Sequence, residues 1–87
     1  MDQDDQKFRD LLDSHHRWPS IYTFKFIVPV ASGKELEALI PEAEQVESRP
    51  SSGGKYTAYT FYCPMGSGRE VLEVYARVQG VAGLISL

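Results

Sequence analysis

Cysteine is almost missing from this chain: Cys63 is the only one in 87 residues. No intramolecular disulfide can form, so packing alone must hold the fold. A basic excess is missing as well. Nine Lys and Arg stand against twelve Asp and Glu, a net charge of −3, whereas duplex binding calls for a basic stripe that neutralises phosphates. Long apolar runs are absent, with nothing approaching the ~18 residues of a membrane-spanning helix. The opening Met1-Asp2-Gln3-Asp4-Asp5 is acidic and unlike a signal peptide. The expectations are no membrane partner and residence in the cytoplasm. Internal repeats and low-complexity segments are also lacking.

What is present suffices for one small core. A chain of this length sits near the lower limit of independent stability, where folding buries only a little over ~60% of the unfolded surface. Its 43% hydrophobic content supplies the dozen or so side chains such a core requires, each contributing ~1.5–3 kcal/mol on burial.

In chain order, Phe8, Leu11 and Leu12 follow i, i+3, i+4 spacing and predict a short helix over 5–14, ending near His15-His16. Ten residues are marginal alone in water, so this stripe must dock to persist. Trp18-Pro19 closes the segment. Ile21 to Val28 is β-branched and aromatic, with Tyr22, Phe24, Phe26 and Val28 on one face and Thr23 and Lys25 on the other. Pro29 ends that strand. Leu36, Leu39 and Ile40 mark a second short helix, stopped before Pro41, and residues 43–49 alternate weakly with several charges, as suits an edge strand.

Pro50-Ser51-Ser52-Gly53-Gly54 reads as a loop. Tyr56 to Cys63 is a strand with Thr57, Tyr59, Phe61 and Cys63 on one face, stopped by Pro64 and Gly66. Ser67, with Glu70 three residues on, forms a capping box. A helix over Gly68 to Gln79 then puts Val71, Leu72, Tyr75 and Val78 on one stripe, with Gly80 as its C-cap. Val81 to Leu87 is predicted as the last strand.

The order is a helix followed by β-α-β-β-α-β. That is an α+β, ferredoxin-like domain: a four-stranded antiparallel sheet with two helices on one face, plus the short N-terminal helix. The first and third strands, the most aromatic, belong in the centre. Residues 1–17 are read as a tail with a short helix, and 18–87 as the ferredoxin-like domain.

Four places resemble the YbeD-like family of small bacterial proteins of unknown function. They are Trp18-Pro19 ahead of Phe24-Lys25-Phe26-Ile27; Arg49-Pro50-Ser51-Ser52-Gly53-Gly54-Lys55-Tyr56; Ser67 to Arg77 with Glu70, Leu72 and Tyr75; and the apolar C-terminus. Together they span residues 18–87. The resemblance implies an ACT-like variant of the ferredoxin fold. ACT domains commonly bind small ligands such as amino acids and regulate enzymes, often as side-by-side dimers. The segment between the first two strands is shorter than is usual for the family, which implies an abbreviated helix there. The acidic N-terminal helix is not a family hallmark. No activity is established for the family, so the resemblance supplies a fold rather than a mechanism.

Three groups of residues invite chemical readings. Arg49, Ser51, Ser52 and Lys55 could cradle a small anion with hydroxyls, backbone N–H groups and charge; the same stretch also serves as a plain turn between an edge and a central strand, and it lacks the Gly-Lys-Ser/Thr ending of a P-loop. The open sheet face should carry Lys25, Tyr56 and Tyr62 beside Thr23, Ala58 and Thr60. Aromatics there suit stacked bases, although the acidic charge and the missing glycine-aromatic signature count against nucleic acid; a protein partner, a dimer mate or the N-terminal helix could equally cover it. Adjacent histidines in a helix point ~100° apart, so His15-His16 makes a poor metal site, and Cys63 on the inward face reads as a small hydrophobe rather than a reactive thiol. No nucleophile and base can be paired. The expectation is a non-enzymatic binding or regulatory module without catalytic residues, cofactor or metal. It would act through a protein partner, a homodimer or a small anionic ligand, with nucleic-acid binding on the open face as the alternative.

Overall fold

The computed structural model describes residues 3–87, with side chains from Asp5 onward. Its elements are α1 (Gln3–His15), β1 (Ser20–Pro29), a 3-10 turn (Val30–Ser32), α2 (Gly33–Leu39), β2 (Gln45–Pro50), β3 (Tyr56–Met65), α3 (Gly68–Val78) and β4 (Ile85–Ser86). The strands form one antiparallel sheet in the order β2-β3-β1-β4. That is the ferredoxin-like order, with the two aromatic strands central as their composition requires.

Alternation decides which face is buried. Phe24, Phe26 and Val28 of β1 lie against the helices with Tyr59, Phe61, Cys63 and Met65 of β3. Leu36 and Ile40 from the α2 segment and Val71, Val74 and Val78 from α3 close this layer. The predicted α3 stripe omitted Val74, which is buried, whereas Leu72 and Tyr75 are half-buried. The inward line of α3 thus runs 71-74-78, and the Tyr75 ring reaches sideways to Phe24 with centroids 5.2 Å apart.

Helix α1 docks on the helical side of the sheet, beside α3. Leu12 enters the core and the Phe8 ring lies 6.0 Å from Tyr75, while Leu11, placed on the same stripe by its spacing, remains 58% exposed. The approach is close because residue 68 is glycine: a Cβ there would sit 2.9 Å from Asp13 Oδ1 and 3.0 Å from the Arg9 carbonyl oxygen. The N-terminus of α3 is capped as the sequence implies, with Ser67 Oγ accepting the Glu70 N–H at 3.3 Å. The returning Glu70 carboxylate lands on the N–H of Gly66, one residue before the cap.

α1 runs Gln3–His15 rather than 5–14 and β2 Gln45–Pro50 rather than 43–49, and other element ends differ from expectation too. β3 runs through Pro64 to Met65. The main-chain groups of Tyr62 face β2, since its carbonyl accepts the Glu44 N–H at 2.9 Å, and Pro64, two residues on, faces the same way after β2 has ended; a missing N–H removes no ladder bond there. Gly80 does not take a left-handed conformation, and the α3 C-cap is Gln79 in helical geometry. The last strand shrinks to Ile85–Ser86 because residues 81–84 form turns, with Leu84 N–H bonded to the Val81 carbonyl at 3.3 Å and Gly83 at φ +74°.

Candidate ligand site on the open sheet face

Among the described residues the three α-helices lie on one side of the sheet, and the other face carries none. The register fixes what stands on it. One row crosses the sheet as Glu47, Thr60 and Lys25, with Leu87 hydrogen-bonded to the Lys25 carbonyl at 3.0 Å. The next row is Arg49, Ala58, Ile27 and Ile85; the row on the other side is Gln45, Tyr62 and Thr23. A shallow cleft of about 390 Å³ opens over the first two rows, lined by Lys25, Glu47, Arg49, Ala58, Thr60 and Leu87.

The charges around this cleft are unevenly satisfied. Glu47 accepts from Gln45 Nε2 at 3.1 Å and from the Tyr62 hydroxyl at 3.3 Å. Its negative charge pushes the Tyr62 phenol up from its ordinary value, with desolvation adding to the effect. Lys25 and Arg49 are in neither of the ion pairs formed among the described residues, which join Arg69 to Glu73 and Arg77 to Glu42. Two cations therefore flank a cleft whose single acid is already engaged.

The residues of the sequence-level anion cradle separate in space. Arg49 lies in β2 opposite Ala58, on the open face, so it joins Lys25 rather than the loop. Ser51 closes the hairpin: its N–H donates to the Tyr56 carbonyl at 2.8 Å, and its hydroxyl accepts the Tyr56 N–H at 3.2 Å. Gly54, at φ +70°, returns its N–H to the Ser51 carbonyl at 3.0 Å. These turn N–H groups are thus taken up internally. Ser52 and Lys55 are exposed, and the Lys55 carbonyl accepts the Val30 N–H at 3.1 Å. Tyr56 is exposed on the open face opposite Pro29, and Tyr62 is half-buried.

Glu47 and Leu87 did not emerge from sequence reasoning. The alternation of Gln45, Glu47 and Arg49 puts all three on one side, but only the pairing with β3 shows which side. His16 stacks on Trp18 with centroids 5.0 Å apart, and among the described residues no three His, Cys, Asp or Glu side chains are grouped to hold a metal. Cys63 is buried, and burial pushes its thiol up to about 11. No helix among the described residues is long and apolar enough to cross a membrane.

Comparison with curated proteins and with solved structures gives no significant match. A family model does match, over residues 13–85, nearly the whole described fold and consistent with the YbeD-like resemblance of the sequence. Its description is a protein of unknown function, DUF493, and the chain belongs to that family.

Proposed function

We propose that the protein is a non-enzymatic binding module, regulatory in role and cytoplasmic, that takes a small anionic ligand on its open sheet face between Arg49 and Lys25. One observation carries this reading: two cations without a carboxylate partner among the described residues line the same cleft of about 390 Å³. Arg49 offers a planar fork matched to carboxylate or phosphate, and Lys25 a point charge. The Thr60 hydroxyl stands between them as a further donor. The non-enzymatic part rests on the sequence, in which no nucleophile and base can be paired, and is supported by the burial of Cys63.

Nucleic acid fits the face less well. A phosphate backbone would have to pass the Glu47 carboxylate, and affinity for it scales with the number of phosphates that cations neutralise, of which this cleft offers two.

Thermal denaturation with inorganic phosphate and a panel of small carboxylates tests the proposal. A ligand present at a hundredfold excess over its Kd should stabilise by about 2.7 kcal/mol. Arg49→Ala and Lys25→Ala should each remove that gain, and Lys55→Ala should keep it. Stabilisation that survives both open-face variants, or no stabilisation by any anion in the panel, would refute the assignment.

A further inference from the structure

We propose that Glu47 makes the open-face cleft selective for anions that also carry hydroxyl groups, such as a polyol phosphate or a hydroxycarboxylate, over bare anions of the same charge. This selection presupposes the anion site between Arg49 and Lys25 and concerns the part of the ligand remote from its charge.

An acid set beside two cations works against the anion that those cations attract. Neutralising Arg49 would account for it. Glu47 and Arg49 stand two residues apart on one face of β2, a separation of about 7 Å along the strand that long side chains can close. No ion pair joins them among the described residues. Glu47 takes its donors from the row on its other side instead: Oε1 accepts from Gln45 Nε2 at 3.1 Å and Oε2 from the Tyr62 hydroxyl at 3.3 Å. The carboxylate is drawn toward Tyr62 and away from the guanidinium, so acid and base on one strand are kept apart.

Held there, Glu47 is engaged but not saturated. An ionised carboxylate has about four acceptor positions, and each Glu47 oxygen takes one donor among the described residues. The side chain is exposed. Ala58 and Thr60, both short, form the floor between Glu47 and Arg49 on β2 and Lys25 on β1. From Glu47 to Lys25 is two strand spacings, about 10 Å. A charged head between Arg49 and Lys25 therefore lays the next few atoms of its ligand over Thr60, whose hydroxyl can donate or accept, with the Glu47 acceptors beyond.

The donor that suits those acceptors is neutral. Cations outnumber the acid two to one around the cleft, so an ammonium on the ligand would meet Arg49 and Lys25 as like charges, whereas a hydroxyl would not. The two donors that Glu47 already accepts, an amide and a phenol, are neutral as well.

Titration calorimetry on the full chain tests this with glycerol phosphate against propyl phosphate, and glycerate against butyrate. Each pair shares its charged head and differs in hydroxyl groups. The hydroxylated member of at least one pair should bind about tenfold more tightly, as a hydrogen bond to a charged acceptor allows. Glu47→Gln should shrink that ratio while tightening inorganic phosphate, a change in selectivity that a mere loss of stability does not produce. Phosphoethanolamine should bind no more tightly than propyl phosphate. Equal affinities within both pairs, a ratio unchanged in Glu47→Gln, or tightest binding by phosphoethanolamine would each overturn the selection; phosphate binding that is still lost in Arg49→Ala would then leave the anion site itself standing. Absence of binding by every one of these anions overturns both.

Discussion

Asp13 Oδ1 accepts the indole N–H of Trp18 at 2.7 Å, and the same oxygen accepts the N–H of Gly68 at 2.9 Å. One carboxylate thereby joins the end of α1, the entry to β1 and the first turn of α3. The Gly68 N–H is one of the donors that a helix leaves unsatisfied at its start, and a negative charge there also suits the α3 dipole. This is how a short acidic helix, marginal alone, stays on the body of the domain.

Asp13→Ala should destabilise the protein by about 1.5–3 kcal/mol, the range for hydrogen bonds to a charged group. Asp13→Asn keeps an oxygen acceptor and should recover most of that loss. Urea denaturation followed by Trp18 fluorescence measures both. Equal stability of the alanine variant and the native protein would show that α1 is held by Leu12 and Phe8 alone.

Gly68→Ala should also loosen α1, although alanine is the better helix former by ~1 kcal/mol in a helix interior. The new methyl meets Asp13 Oδ1 at 2.9 Å, the Arg9 carbonyl at 3.0 Å and Leu12 Cβ at 3.2 Å. Two of these contacts involve groups with little freedom, so α1 must shift outward. The expected signature is a lower denaturation midpoint with faster amide exchange in α1 while β1 and β3 stay protected. A gain in stability would show that the α1–α3 contact yields without loss.

Acid should weaken the join between the α2–β2 connection and α3. Arg77 donates to both Glu42 oxygens at 2.8 Å and to the Leu39 carbonyl at 2.8 Å. The hydrogen bond from Arg77 holds the Glu42 carboxyl below its usual 4.5. A folded-state pKa below the unfolded one gives stability that is present above the unfolded value and disappears as pH falls toward the folded one. Both side chains are 34% exposed, so the pair is worth no more than about 0.5–1 kcal/mol. Glu42→Gln should be less stable than the native protein at neutral pH, with the difference vanishing below pH 4.5. Denaturation midpoints across a pH series would show this convergence; parallel curves would refute it.

The legible parts of this fold are those where two periodicities agree. Phe24 and Phe26, like Tyr59 and Phe61, alternate strongly enough that strand and buried face follow directly. Ser67 and Glu70 mark the start of α3 by chemistry local to four residues. What is not legible depends on pairing between distant segments. Arg49 reads as part of a loop because Pro50 and the glycines follow it; its place on the open face is set by the partner Ala58 in β3. The apolar run from Val81 suggests a full strand, yet it carries the left-handed Gly83.

Cys63 should report on the integrity of the core. Burial raises its thiol from 9.0 to about 11, with Glu42 adding a smaller push in the same direction. A rise of that size lowers the thiolate fraction at neutral pH about a hundredfold, before any steric exclusion, and the thiolate is the reactive form. Native protein should therefore react with iodoacetamide at least that much more slowly than urea-unfolded protein at the same pH. The sign for stability is opposite to that of Glu42. An acid whose folded pKa is raised favours folding less as its unfolded form ionises, so the protein should lose stability as pH rises past 9.0, and Cys63→Ala should flatten that alkaline limb at the expense of a small cavity. Native and unfolded protein reacting at the same rate would mean that the sheet and α3 part readily enough to expose the thiol, and the packing of Phe61 and Cys63 against Val74 would then not be the stable centre of the molecule.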